Sequence, residues 1–199
     1  MSLGASGAVG KALVFFNWKG LDVVREYVTP TNPKSDAQLT QRSYVTAAVA
    51  LVHAAMEAVT HIFGSIDKQA YSLMGSLEVG PRTWFNTVVK HAIEQYMIPK
   101  SAAVFRGGGV AETTTQLVLT IYSDAVDAGA VASGYFYYGS AKTAMLQRVA
   151  AVPTLGEQKM VGTITGLTNK TKYYMQFVCD SIVGCVGIKS GIYTGTPHV

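Results

Sequence analysis

Charge is what this chain has least of. Charged residues make up 14% of its 199 residues, where soluble domains carry roughly 25%. A surface so poor in charge leaves wide neutral or apolar areas, and such areas mark contact surfaces. The composition points to a subunit held among neighbours. The net charge of +4 is scattered, with no run of Lys and Arg, which argues against the electrostatic footprint of a nucleic-acid binder. No basic segment followed by an apolar core opens the chain, so no signal peptide is expected, and synthesis in a cytoplasm follows. In that compartment the two cysteines default to thiols. Hydrophobic residues make up 49%, which excludes disorder as a reading of the whole.

The first half reads as a glycine arm, a hairpin and helices. Residues 11–28 are rich in strand formers on both sides of Lys19 and Gly20, a turn signal. A lone hairpin is marginal in water and must lie on something. Pro30 and Pro33 hold the next residues extended. Ser35 followed by Gln38 is a capping box that opens a long helix reaching Phe63. Its apolar positions cover most of the circumference, so it is expected to be buried on several sides. The stretch 43–63 is long enough to cross a bilayer, but His53, Glu57 and His61 lie within it, and no membrane span is expected. Gly64 and Ser65 break the helix, Ser65 caps a second through Leu73, and a third opens after Gly80 and Pro81. Trp84, Phe85, Val88, Val89, Ala92, Ile93, Tyr96 and Met97 repeat on one face of the third, and Pro99 ends it.

From Lys100 the texture changes to short strand-like segments separated by Gly, Asp, Ser and Asn. Strands are expected at 102–106, 115–122, 134–140, 146–152, 160–164, 172–179 and 186–193, the count and spacing of a sandwich. Leu117, Leu119 and Ile121 supply one inward row. Gly166, Leu167, a polar turn and Tyr173 have the arrangement of a tyrosine corner, in which the hydroxyl bonds back to upstream backbone. Gly166, Leu167, Thr171 and Tyr173 match the Gly-Leu-x-Pro-x-Thr-x-Tyr pattern of fibronectin type III modules, with Asn169 in place of the proline. The second half resembles that family, whose fold the resemblance implies; the core tryptophan that the family often carries on its second strand is missing here. The fold class expected is α+β in two domains. Residues 1–98 would form the arm, hairpin and three-helix assembly domain, and residues 99–199 a seven-stranded fibronectin III-like sandwich.

The series Val9, Gly10, Trp18, Lys19, Gly20, Arg25, Pro30, Asn32, Pro33, Ala37, Gln38, Gln41 and Arg42 resembles segments of small uncharacterised proteins of tailed bacteriophages and their bacterial relatives. The resemblance covers residues 7–45, with an echo at Trp84, Phe85 and Asn86, and implies a virion or assembly context. The expected role is therefore a non-enzymatic structural subunit of a phage-like virion. It would be homo-oligomeric, in contact with other virion proteins, and without cofactors. Phe15, Trp18, Arg25, Gln38, Arg42 and Trp84 are the expected interface residues, and Leu167 and Tyr173 structural ones.

His53, Glu57 and His61, at i, i+4 and i+8, could face one way on a helix and hold a metal with His91 as a fourth ligand. Against that stands a polar stripe making hydrogen bonds between helices, the reading preferred. Cys179 and Cys185 flank a short loop and could form a cross-hairpin disulfide if the register placed them opposite each other; two buried thiols are the alternative. The glycines at 4, 7 and 10 before Lys11 fail the phosphate-loop pattern, because Ala5 and Ala12 occupy required positions. Arg106 to Gly109 reads as a loop or strand kink. No Gly-x-Ser-x-Gly elbow is present, and Asn169 to Thr171 is read as a turn. The sandwich loops or the tyrosines at 135, 137 and 138 could meet a protein or a glycan, the first alternative function; a metalloenzyme at the His53, Glu57 and His61 face is the second.

Overall fold

The computed structural model describes residues 6–29, 31–32, 34–98, 101–125, 131–180 and 185–198. The expected features at Pro30, Pro33 and Pro99 and the start of the glycine arm lie outside them. The chain divides into two compact units, Met1–Leu39 and Thr40–Val199.

The first unit is a three-stranded antiparallel sheet in the order β1 (Gly7–Val9), β2 (Leu13–Trp18), β3 (Leu21–Glu26). Both turns place two consecutive residues at positive φ: Gly10 at 53° with Lys11 at 57°, and Lys19 at 51° with Gly20 at 84°. Such turns match the right-handed twist of the strands they join. The hairpin therefore gains a third strand, and Gly7–Val9, expected as flexible arm, is paired with Leu13 to Phe15.

Helix α1 (Asp36–Glu57), most of it in the second unit, buries only Ala48, Val52 and Ala55. It stops six residues short of the expected Phe63. Phe63 is itself buried, 5.6 Å from the Tyr71 ring and 5.4 Å from Trp84, and its amide donates to Ala55 O. Bringing that ring inward requires the chain to double back after Glu57. The Arg106 guanidinium fixes the reversal by donating to Thr60 O and His61 O. Helix α2 (Ser65–Gly75) has Gly64, not Ser65, at its N-cap; Asp67 accepts from Gly64 N at 2.9 Å. Helix α3 (Trp84–Met97) is capped by the Thr83 side chain, which accepts from Asn86 N.

The rest is sandwich-like. One sheet has the order β4 (Ala103–Glu112), β5 (Leu117–Ala125), β9 (Lys159–Ile164), β8 (Val152–Thr154). The other runs β11 (Tyr193–Gly195), β10 (Tyr173–Cys179), β6 (Gly134–Gly139), β7 (Gln147–Ala150). Phe105, Leu117, Leu119, Ile121 and Met160 from the first sheet meet Phe136, Met175, Phe177 and Tyr193 from the second in one buried cluster. At the corner, Leu167 is buried and the half-buried Tyr173 accepts at its hydroxyl from Thr168 N at 3.1 Å.

The last strand departs from expectation: it spans 193–195 rather than 186–193. Ile192 N donates to Ala70 O of α2, and a Cβ on Gly191 would lie 2.8 Å from Ala70. Residues 188–190 still bond to β10, with Cys179 N donating to Ile188 O and Ser190 N to Phe177 O. The docked helix thus interrupts the ladder at Gly191 and Ile192. A second core joins Val52, Phe63, Tyr71, Met74 and Val88 of the helical part to Val104 and Ile192 of the strands. Helices and sandwich accordingly share the unit Thr40–Val199, and the expected boundary between 98 and 99 falls inside it.

Candidate functional site

Strand alternation sorts the side chains of the first unit onto two faces. The cross-strand pairs Val14 with Arg25, Phe16 with Val23, and Trp18 with Leu21 share one face, joined by Ala8 opposite Val14. The pairs Leu13 with Glu26, Phe15 with Val24, and Asn17 with Asp22 share the other, joined by Val9 opposite Leu13. Both faces are predominantly apolar. A sheet in a small domain usually turns one face to the core and one to water, yet no described residue from 6 to 39 is buried. Trp18 is 60% exposed, Leu21 68%, Val9 60% and Val24 49%.

The polar groups differ between the faces. On the first, the Arg25 guanidinium lies 5.5 Å from the Phe16 ring centroid, and the Lys19 ammonium of the turn lies 6.0 Å from that of Trp18. On the second, Asn17 Nδ2 donates to Asp22 Oδ1 at 3.2 Å, and Glu26 adds a second carboxylate. Of the expected interface residues, Phe15, Trp18, Arg25 and Gln38 belong to the first unit. Arg42 is exposed on α1. Trp84 packs with Phe63 and Phe85 beneath the Lys68 ammonium, at the helical core.

Two polar clusters occupy the second unit. The carboxylate of Asp67, 1% exposed, accepts from Gly64 N (2.9 Å), Gly107 N (3.0 Å), Gly108 N (2.9 Å) and the Tyr193 hydroxyl (2.7 Å). The glycines are required there. Gly107 sits at φ 61° in the β-bulge of β4, and a Cβ on Gly108 would run into the Tyr193 ring. Burial pushes the Tyr193 phenol well above its ordinary range, with the Asp67 charge adding to it. Burial likewise raises Tyr71, whose hydroxyl accepts from Phe105 N at 3.2 Å. A carboxylate with four donors has nothing left to offer a substrate; this cluster ties α2 to both sheets. The sequence showed Gly64 ahead of Asp67 but gave no sign of donors so distant along the chain.

The second cluster lines a cleft of about 360 Å³ between α2, α3 and β10. Glu78 contacts Lys90 (2.8 Å), Arg82 (3.0 Å) and His91 (3.1 Å), and His91 Nδ1 lies 3.2 Å from Glu94. The His91 Nε2 contact with Glu78 has ionic distance without hydrogen-bond direction. Desolvation holds His91 below its ordinary value, against the opposing pull of Glu94 and Glu78.

The metal candidates do not converge. His61 lies beyond the end of α1, at φ 52°, stacked on Tyr122 with ring centroids 3.3 Å apart, while His53 packs 6.1 Å from Phe85. Among the described residues no three His, Cys, Asp or Glu side chains form a metal-binding group, and no helix is long and apolar enough to cross a membrane. Cys179 and Cys185 are both buried; Cys185 Sγ donates to Ser101 O at 3.7 Å, and Gly187 N donates to Cys179 O. The loop residues 181–184 lie outside the described ones.

No protein-family model and no curated protein sequence matches this chain. Among solved structures, an fn3 domain of human contactin 1 aligns at 17% identity with a TM-score of 0.34. The alignment covers 46% of this chain and 73% of that domain.

Proposed function

We propose that this chain is a non-enzymatic structural subunit that acts through contacts between copies and with other proteins of a phage-like virion. One observation carries the reading: a sheet built of strand-forming apolar residues on both faces, with no described residue from 6 to 39 buried. Each large apolar side chain covered by a neighbour would contribute about 1.5–3 kcal/mol, and a sheet with both faces open to water gains none of it. Apolar exposure continues along α1 and the segment after it at Val45, Met56, Val59 and Ile62. The resemblance of residues 7–45 to tailed-phage proteins favours a virion as the assembly and as the place where the chain resides. The sandwich is proposed to be a fibronectin III-like brace or projection, on the strength of its strand order and its Leu167–Tyr173 corner.

Sedimentation velocity of the full chain at micromolar concentration tests the assembly reading. Defined oligomers or larger species are expected; a single monomeric boundary would remove its basis.

A second reading has one observation in its favour. A cleft of about 680 Å³ at one end of the sandwich is lined by Tyr138, Gln147, Thr165, Thr168, Tyr173 and other residues, none of them charged. Rings beside hydroxyls suit a neutral sugar, so a glycan or a protein loop could be held there. Binding to a panel of immobilised neutral glycans, lost in Tyr138→Ala, is what that reading expects.

A further inference from the structure

The two faces of the N-terminal sheet carry opposite charge. The face of Val14, Phe16, Trp18, Leu21 and Val23 has Arg25 among its strand residues and Lys19 over its tryptophan, with no acid in its strands. The face of Val9, Leu13, Phe15 and Val24 has Asp22 and Glu26, with no base in its strands. Both need covering for the same hydrophobic reason, so a partner on one face alone leaves the second uncovered.

We propose that copies of this chain stack their N-terminal sheets with unlike faces in contact, the basic aromatic face of one on the acidic face of the next. The inference rests on the assembly reading above and names its partner and geometry. Two basic faces brought together would set Arg25 and Lys19 against their own copies, and two acidic faces would do the same with Asp22 and Glu26. Like charges juxtaposed in an interface are costly, whereas complementary ones fix the pairing. Only the unlike pairing covers apolar surface and opposes charges of different sign, with the two sheets about 10 Å apart as stacked sheets are. Such a contact is heterologous: the stack always ends in one open face of each kind, so addition continues until a ring closes or a filament grows.

The test uses two full-length variants, each placing on one face a charge that repels its proposed partner. Leu21→Glu sets a carboxylate on the basic face, against the partner's Asp22 and Glu26, and Val24→Lys sets an ammonium on the acidic face, against the partner's Arg25 and the partner's Lys19. In sedimentation velocity the unmodified chain is expected to form species larger than a dimer, and each variant alone to be monomeric. An equal mixture is expected to give a one-to-one heterodimer and nothing larger, because the intact acidic face of the first meets the intact basic face of the second. Recovery on mixing also shows that both variants are folded. Val23→Glu paired with Leu13→Lys repeats the comparison at independent positions and is expected to give the same pattern. A homodimer formed by either variant alone would show like-face pairing and overturn the inference, as would mixtures of both pairs that remain monomeric. If the unmodified chain assembles and the variants assemble equally well, the assembly reading stands and the stacking fails. If the unmodified chain is itself monomeric, both fail.

Discussion

At the scale of single residues, Asp67 has the most to lose. Its carboxylate is the common acceptor for three backbone amides and the Tyr193 hydroxyl in a site closed to water. Asp67→Asn turns an amide group toward those donors and leaves at least one unsatisfied. It is expected to cost about 2–4 kcal/mol in urea unfolding, against about 1–2 kcal/mol for Tyr193→Phe, which removes a single donor. Equal small losses would show that the network contributes little. His91 makes a prediction about pH. Its folded-state value is held below the ordinary 6.5, chiefly by desolvation, so the unfolded chain takes up the proton first. Stability then falls as pH drops below 6.5 and levels off once the folded protein also protonates. Glu78 acts in the same direction at lower pH. Burial opposes its ionisation, but Lys90, His91 and Arg82 outweigh it and depress its value. Stability from that group is present above its unfolded value and is lost as pH falls through the folded one. His91→Gln is expected to flatten the decline just below pH 6.5, measured as melting temperature against pH; an unchanged slope would remove His91 as its source.

At the scale of elements, the decisive event is the docking of α2. Its Ala70 carbonyl accepts from Ile192 N, its Asp67 holds the bulge in β4, and Gly191 admits it at a distance where a side chain would collide. Gly191→Ala is expected to destabilise the second unit by about 1–3 kcal/mol, the range for overpacking a closed site, read by urea unfolding. A neutral result would mean that α2 can shift at no cost. These contacts also explain which elements could be read from the sequence. The corner at Leu167 and Tyr173 is legible because its hydrogen bond spans five residues, and the strands with alternating apolar residues are legible from period alone. The end of α1 is not, because Phe63 and Arg106 set it through partners far along the chain. The late start of β11 is hidden for the same reason, since Gly191 answers to Ala70. The stripe of His53, Glu57 and His61 is reasonable on an uninterrupted helix and loses its geometry once that helix stops at Glu57.

At the scale of the whole molecule, few charges and an N-terminal sheet without a buried side chain describe the same condition. The second unit closes cores of its own, whereas the sheet has an apolar surface on each side and nothing buried. Turn chemistry and strand propensity suffice to form its hairpins, which is why they are visible in the sequence. The use of its faces depends on a partner, and no single chain carries that information. Hydrogen–deuterium exchange followed across a dilution series tests this most directly. The amides of Leu13–Trp18 and Leu21–Glu26 are expected to become more protected as protein concentration rises, while those around Asp67, Gly107 and Gly108 stay constant. Protection of the two strands that is the same at every concentration would contradict the account.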